Sequence, residues 1–249
     1  MIQRAVRPEL VEGSREKLFQ IHHLCFRFSK SASDFFHQID LHINKPGITF
    51  VTGKNGVGKT TFFSILLDQI PATSVLRGEV KTSRYNYDIA SSSDRAKLSH
   101  NIGFVHQHVG KMLADQFTAL QNLQAAQLAS YPGLNNLPEA PQAQELARKL
   151  HIPLGTAVHN LSGGQKQALA IAMALQHDVE LLLLDEPTAS LDDANSEKIL
   201  SLVRDLSIEK NIPVLCISHD PDLVARFNNG NIIVIEQHDG KRTIEMRNI

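Results

Sequence analysis

The chain opens with a charged stretch and then alternates apolar with polar residues. Apolar side chains recur with a period of about two over residues 18–28, and again at Ile39, Leu41 and Ile43. This period predicts strands with one buried face, as in an antiparallel sheet. Pro46 and Gly47 then predict a turn, and the β-branched and aromatic run at 48–51 is typical of a fully buried strand.

Strand-like and helix-like patterns alternate further along the chain. Residues 60–70 predict a helix, and residues 78–105 predict short strands around a polar loop at 90–99. Apolar residues at helical spacing over 111–150 and 162–175 predict helices, interrupted by a proline-rich loop at 131–141. Buried strands at 180–185 and 213–218 flank an amphipathic helix at 193–209, and a hairpin is expected at 232–246. This alternation favours a parallel sheet with crossover helices.

Composition narrows the class of protein. The 249 residues are 42% hydrophobic and 20% charged, with a net charge of -1, so no basic field predicts a nucleic-acid partner. Cys25 and Cys216 lie in apolar stretches without metal-type spacing, which predicts buried thiols in a reducing compartment. No apolar run approaches the roughly 18 residues of a membrane helix. Residues 1–17 have no apolar signal segment and are expected to be a mobile tail preceding a domain at 18–249.

A glycine-rich stretch at residues 53–60, here called the phosphate loop, reads Gly-Lys-Asn-Gly-Val-Gly-Lys-Thr between a predicted strand and a predicted helix. Its glycines let backbone N–H groups turn towards phosphate oxygens, and the helix adds its positive N-terminal end. Lys59 supplies a mobile positive charge for the β- and γ-phosphates, and Thr60 offers a hydroxyl ligand to Mg²⁺. The loop therefore predicts a nucleoside triphosphate site that uses Mg²⁺ as cofactor.

Two carboxylates follow four consecutive leucines at residues 181–184. A buried strand that ends at a site delivers its last side chains to the edge of that site. Asp185 is therefore expected to contact Mg²⁺, directly or through water. Glu186 points in a different direction and is expected to be the general base or the carboxylate that orients an attacking water.

The stretch Leu-Ser-Gly-Gly-Gln at residues 161–165, here called the signature turn, predicts a second anion site. Ser162 is expected to cap a helix, and Gly163 and Gly164 expose the first N–H groups of that helix. A phosphate loop has no obvious use for a second cradle on the same nucleotide. The simplest account is that the signature turn closes over ATP held by another subunit.

Together with Gln107, which precedes the signature turn, and His219, which follows Glu186, these motifs resemble those of ATP-binding cassette (ABC) proteins over about residues 18–249. The resemblance is to the nucleotide-binding ATPase subunit of an ABC transporter. It implies an α/β fold of the P-loop NTPase (RecA-like) type, with a parallel-sheet core, an antiparallel β subdomain and an inserted α-helical subdomain at about 110–175. By resemblance, Phe28 stacks on adenine, Gln107 senses Mg²⁺ and the γ-phosphate, and His219 reaches the γ-phosphate.

The resemblance thus assigns a set of site residues. The implied catalytic residues are Lys59, Gln107, Glu186 and His219, and the implied Mg²⁺ ligands are Thr60, Gln107 and Asp185. The implied nucleotide-binding residues are Phe28, Gly53, Lys54, Asn55, Gly56, Val57, Gly58, Lys59, Thr60, Thr61, Gln107, Ser162, Gly163, Gly164, Gln165 and Asp185.

The resemblance also implies partners and a location. Two cassettes, identical or different, would hold two ATP head to tail, and hydrolysis would drive a separate transmembrane permease subunit from the cytoplasmic face of the cell membrane. A soluble single-cassette ABC ATPase that acts as an assembly factor, for example for iron–sulfur clusters, stays open as an alternative. A P-loop small-molecule kinase would have no use for the signature turn.

Overall fold

The computed structural model describes residues 18–128, 141–176, 178–238 and 241–249. The tail predicted at residues 1–17 and nearly all of the loop predicted at 131–141 lie outside these ranges. The strands are β1 (Phe19–Arg27), β2 (Phe36–Ile43), β3 (Gly47–Thr52), β4 (Val75–Thr82), β5 (Asn86–Asp88), β6 (Ile102–Val105), β7 (Leu181–Asp185), β8 (Pro213–Ile217), β9 (Asn228–His238) and β10 (Lys241–Asn248). The helices are α1 (Lys59–Leu66), α2 (Ser92–His100), α3 (Ala119–Leu128), α4 (Pro141–Lys149), α5 (Gly163–Ala174), α6 (Asp193–Lys210) and α7 (Pro221–Phe227).

The strands form two sheets, as the alternating patterns predict. A four-stranded antiparallel sheet has the order β2-β1-β4-β5, and a six-stranded sheet has the order β10-β9-β3-β8-β7-β6. From β9 to β6 the neighbouring strands of the larger sheet are parallel, and β10 joins the edge of the sheet as the antiparallel partner of β9. The α/β fold with a mainly parallel core and an antiparallel β subdomain is therefore confirmed.

The larger sheet is buried on both faces, which explains its continuous apolar strands. Along β7, Leu182 and Leu184 pack into one hydrophobic core with α5 and α6, while Leu181 and Leu183 pack into the other with α1 and the antiparallel sheet. All four of these leucines are at most 1% exposed. Successive side chains of a strand point to opposite faces, so four leucines in a row supply both cores.

The helical region lies on the first of these two cores. Helices α3 and α4 each pack against α5, and their buried residues join the core beneath α6. Within the described ranges, no helix combines the length and the apolar composition needed to cross a membrane. The helical region carries the signature turn at the start of α5, whereas the strands of the larger sheet carry the other motifs.

Three expectations about local structure need correction. The prediction of a polar loop at 90–99 is wrong, because this segment forms helix α2. Ser91 caps the helix, and an ion pair between Arg95 and Asp68 stabilises it. The helix predicted at 60–70 ends at Leu66, where the backbone leaves the helical conformation. Helix α2 has one buried residue, Leu98, so apolar periodicity could not reveal this helix. The third correction concerns Cys25, which is half-buried, although Cys216 is fully buried as predicted.

Candidate functional site

The order of the parallel strands brings four loops to one edge of the sheet. In the order β3-β8-β7-β6, each strand runs in the same direction as its neighbour, so their carboxyl ends lie side by side. The phosphate loop follows β3, His219 follows β8, Asp185 ends β7 with Glu186 next to it, and Gln107 follows β6. In open α/β sheets this edge is where ligands bind. The sheet therefore brings four of the predicted motifs together.

The phosphate loop needs glycine at two positions where the chain passes close to its neighbours. Gly53 has a φ of +144°, and a Cβ there would lie 2.3 Å from the carbonyl oxygen of Ile235 on β9. Gly58 has a φ of +122°, and its Cβ would lie 2.9 Å from the ring of Phe35. Helix α1 begins directly after Gly58 without a side-chain cap, so its first N–H groups face a ligand position rather than a capping side chain.

Lys59 is held inside this loop. Its ammonium Nζ donates to the backbone carbonyls of Gly53 at 2.8 Å and Lys54 at 3.1 Å. The side chain is nearly buried, and this burial lowers the pKa of Lys59, although the carboxylates of Glu186 and Asp185 partly oppose the shift. The cation is thus positioned by the loop that would surround a bound phosphate chain.

Asp185 and Glu186 lie at the end of β7 in different environments. Burial and the neighbouring Glu186 raise the pKa of Asp185, so its charged form is disfavoured without a cation beside it. Glu186 adopts a φ of +47°, in the left-handed region, and its N–H donates to the carbonyl oxygen of Ile217 at 3.1 Å. The left-handed turn thus lies directly after Asp185, between the two adjacent carboxylates. Non-glycine residues in this region cluster at functional sites.

A three-residue network holds the Glu186 carboxylate from both sides. Nε2 of His219 lies 3.1 Å from Oε1 of Glu186, and Nε2 of Gln107 donates to Oε2 at 3.2 Å. These residues come from the ends of three adjacent strands and are separated by up to 112 positions in the sequence. The network fixes the orientation of Glu186 while leaving His219 about half exposed.

Lys59, Asp185, Glu186 and His219 meet at a cleft of about 270 Å³, whose lining does not include Gln107. It is lined by Asn55, Gly56, Gly58, Lys59, Thr60, Thr61, Asp185, Glu186, Ile217 and His219. No cluster of three or more His, Cys, Asp or Glu side chains suited to a metal ion occurs among the described residues. Mg²⁺ nevertheless fits this cleft, because it prefers oxygen ligands and commonly uses only one or two protein ligands, with phosphates and water completing the shell. Thr60 and Asp185 supply a hydroxyl and a carboxylate here.

Phe28 directly follows β1 of the antiparallel sheet. The residue is 41% exposed, and its ring packs edge-to-face against Phe26 at 4.9 Å and Phe35 at 5.1 Å between ring centroids. Phe35 in turn lies against Gly58. Part of Phe28 is therefore exposed, and Phe35 lies between its ring and the phosphate loop. Phe35 was not anticipated from the sequence, since nothing in its neighbourhood marks it as more than a core aromatic residue.

The signature turn is separate from this cleft. Ser162 accepts a hydrogen bond from the N–H of Gln165 at 3.3 Å, and the Gln165 side chain accepts one from the N–H of Ser162 at 3.0 Å, which confirms Ser162 as the cap of α5. Ser162 and Gly163 are exposed. Within the described part of the chain, the walls of the cleft contain no residue of the signature turn. The structure thus divides the predicted nucleotide-binding residues between two places.

Comparisons with known proteins agree with this arrangement. The profile of the family described as "ABC transporter" matches residues 36–189. The chain is 33% identical over 210 residues to the lipoprotein-releasing system ATP-binding protein LolD of Buchnera aphidicola subsp. Schizaphis graminum, covering 82% of this chain and 86% of LolD. It is also 33% identical over 216 residues to the methionine import ATP-binding protein MetN of Photorhabdus laumondii, covering 85% of this chain and 60% of MetN.

Solved structures show the same fold. The cbiO1 protein of Clostridium perfringens, described as part of the ABC transporter complex cbiONQ, superposes with a TM-score of 0.75 at 26% identity, over 93% of this chain and 88% of that chain. A dimeric post-hydrolysis state of the ATP-binding cassette MJ0796 with ADP and Pi superposes with a TM-score of 0.68 at 25% identity, over 93% and 98% of the two chains. The chain described here therefore belongs to the ABC transporter family, as one of its ATP-binding ATPase subunits.

Proposed function

We propose that this protein hydrolyses ATP to energise the transport of a substrate across a membrane by a separate transmembrane permease subunit. The observation that carries the proposal is the convergence of Lys59, Glu186, His219 and Gln107 at one edge of the sheet. A phosphate-binding loop faces a carboxylate that is oriented from both sides. Such an arrangement suits attack by water on a γ-phosphate, which is the reaction class of the family.

Each residue has a distinct role in this proposal. The N–H groups of the phosphate loop and the Lys59 ammonium bind the β- and γ-phosphates. Glu186 orients the attacking water and accepts its proton as the new P–O bond forms and the bond to ADP breaks. His219 and Gln107 hold Glu186 in place, and with a nucleotide bound His219 contacts the γ-phosphate. The exposed ring of Phe28 stacks on the adenine.

Mg²⁺ would be held by the Thr60 hydroxyl, the Asp185 carboxylate and the Gln107 side chain. When bound, it neutralises charge on the phosphate oxygens and lowers the repulsion felt by the incoming water. The raised pKa of Asp185 fits this role, because a divalent cation offsets the cost of burying that carboxylate.

The separation of the signature turn from the cleft supports a dimer. Its exposed N–H groups at the start of α5 form an anion site with no phosphate loop beside it. Two cassettes arranged head to tail would place the signature turn of each over the ATP of the other. The structure of MJ0796 with ADP and Pi is described as dimeric, so this fold is compatible with such an assembly.

The transport role draws on the relatives, since LolD, MetN and cbiO1 are all named as transporter components. A peripheral position on the cytoplasmic face of the cell membrane, bound to the permease, follows from this role. None of the relatives reported above is named as an assembly factor, so the alternative of a soluble single-cassette ATPase is not favoured.

The catalytic part of the proposal is tested by Glu186→Gln. This variant keeps the shape of the side chain and one of its two acceptor oxygens but removes the base, so ATP turnover should fall by at least about 100-fold while ATP binding is retained. Glu209→Gln on the exposed face of α6 is the matched control and should turn over like the wild type. Unchanged turnover in Glu186→Gln would contradict the assignment of the base.

The transport part is tested by affinity purification of the tagged protein from its native membranes in mild detergent, followed by mass spectrometry. A stoichiometric partner with several membrane spans is the expected result. Recovery of soluble partners alone, with no tagged protein in the membrane fraction, would contradict the transport role and restore the assembly-factor alternative.

A further inference from the structure

Arg242 on β10 links the last hairpin of the chain to the phosphate loop. Its Nε donates to the backbone carbonyl of Val57 at 3.0 Å, next to Gly58 and Lys59. The Val57 side chain is buried, so this part of the loop is fixed from its inner side by packing. Arg242 adds a hydrogen bond from outside the loop, across 185 positions of sequence.

The same guanidinium also lies on an aromatic ring. Its Cζ is 3.9 Å from the centroid of the Phe35 ring, well within the range of a cation–π contact. Phe35 packs edge-to-face against Phe28 and touches Gly58. Arg242 therefore contacts the phosphate loop directly and Phe28 through a single intervening ring.

Arginine can make both contacts at once because its guanidinium is planar. The face of the group stacks on a ring while an N–H in its plane donates to a carbonyl. A lysine ammonium is a compact charge without a planar face, so lysine at this position could keep one contact and would lose the other. The arrangement is thus specific to the residue type rather than to the charge.

We propose that Arg242 is a positioning residue for the nucleotide, which holds the Phe28 ring at a fixed distance and angle from the phosphate loop. The base and the phosphates of one nucleotide must be bound together by two elements that are otherwise far apart in the sequence. Arg242 fixes the distance between the Phe28 ring and the phosphate loop before the nucleotide binds. The inference rests on the proposed function for the identity of the ligand.

The test compares two probes that differ in whether they carry a base. Dissociation constants of Mg²⁺-ATP and Mg²⁺-tripolyphosphate are measured for the wild type and for Arg242→Lys by calorimetry. Tripolyphosphate needs only the phosphate loop, whereas ATP also needs Phe28. In Arg242→Lys the affinity for ATP should fall about 3- to 10-fold and the KM should rise with it, while kcat and the affinity for tripolyphosphate remain close to those of the wild type.

Two further variants sharpen this test. Phe35→Leu removes the stacked ring but leaves Arg242 able to bond Val57, and combining it with Arg242→Lys should weaken ATP less than the product of the two single effects, because both act through one contact. Arg247→Lys is the matched control, since Arg247 lies on the same strand and its side chain pairs with Glu236 and Glu245. It should bind both probes like the wild type.

Other outcomes would overturn the inference. Wild-type ATP affinity in Arg242→Lys would contradict it, and so would a parallel loss of both probes accompanied by a lower melting temperature, which indicates a purely structural residue. A wild-type protein that binds tripolyphosphate but neither binds nor hydrolyses ATP would instead contradict the proposed function.

Discussion

The phosphate loop and the signature turn both place glycines at the start of a helix, yet the N-termini of these two helices are capped differently. Helix α1 starts after Gly58 with no side-chain cap, and Lys59 folds back onto the loop. Helix α5 starts with a reciprocal pair of hydrogen bonds between Ser162 and Gln165. The start of α1 has no side-chain cap, whereas at the start of α5 the N–H groups of Ser162 and Gln165 are bonded within the chain.

We relate this difference to two separate steps: capture of the nucleotide by the phosphate loop, and completion of the catalytic site by the signature turn of a second subunit. We propose that the start of α1, with the Lys59 ammonium beside it and the ends of β3, β7 and β8 around it, binds phosphate within a single subunit. The capped and exposed end of α5 is stable without a ligand and gains a function only when a phosphate is presented to it. Under the proposed function, ATP binding depends on one subunit, whereas hydrolysis depends on two.

Loss of Lys59 should have the largest effect on the binding side of this comparison. Removal of a charge-assisted hydrogen bond to phosphate costs roughly 1.5–3 kcal/mol per bond, so Lys59→Ala should weaken ATP binding by about 100-fold. Fluorescent-nucleotide titration measures this loss, and Lys81→Ala on the antiparallel sheet is the control. ATP affinity within error of the wild type would remove the basis for calling this loop the capture site.

The signature turn should affect hydrolysis and not capture. Ser162→Ala removes a side chain proposed to face the partner's ATP, so turnover should fall about 10-fold, while a single subunit binds ATP as before. The control is Ser91→Ala, which removes the equivalent cap of α2 and should cost similar stability with no effect on turnover. If Ser162→Ala instead weakened ATP binding by isolated subunits, the two regions would not have separate roles.

The smallest expected effect is on the stability of the folded protein and comes from Asp185 in the cleft. Because the pKa of Asp185 is raised in the folded protein, its ionised form destabilises the fold at neutral pH. Asp185→Asn should therefore raise the melting temperature of the ligand-free protein by roughly 2–4 °C at pH 7.5, as expected for about 1 kcal/mol. This gain should shrink as the pH falls through the raised pKa and disappear below the ordinary value of 3.8, where the wild-type carboxyl is protonated in both states.

Differential scanning fluorimetry across this pH range checks the sign of the effect, with the exposed Asp205→Asn as control. A destabilised Asp185→Asn at neutral pH would mean that the carboxylate stabilises the ligand-free fold through partners such as Lys59. The preparation of the cleft for a cation would then need another explanation.

Much of the contrast between the phosphate loop and the signature turn could be predicted from the sequence. The phosphate loop, the Asp185–Glu186 pair and the cap at Ser162 each have a local signal, because the relevant chemistry is held within a few consecutive residues. The two-sided burial of β7 also follows from its run of leucines.

Features that depend on strand order or tertiary contacts were not visible in the sequence. The Gln107–Glu186–His219 network depends on β6, β7 and β8 being neighbours. Helix α2 is held by a cap and by the ion pair of Arg95, with almost no apolar face. Arg242 is one charged residue on an edge strand, and only the folded chain shows what it contacts.

The mass of Glu186→Gln in Mg²⁺-ATP, measured by light scattering after gel filtration, tests the central claim most directly. Blocked hydrolysis should trap a dimer of twice the 27.6 kDa chain mass that retains one ATP per subunit, and adding Ser162→Ala should weaken that dimer. A species that remains at the mass of one chain while fully loaded with ATP would contradict the claim that the signature turn completes the site of a second copy of this chain.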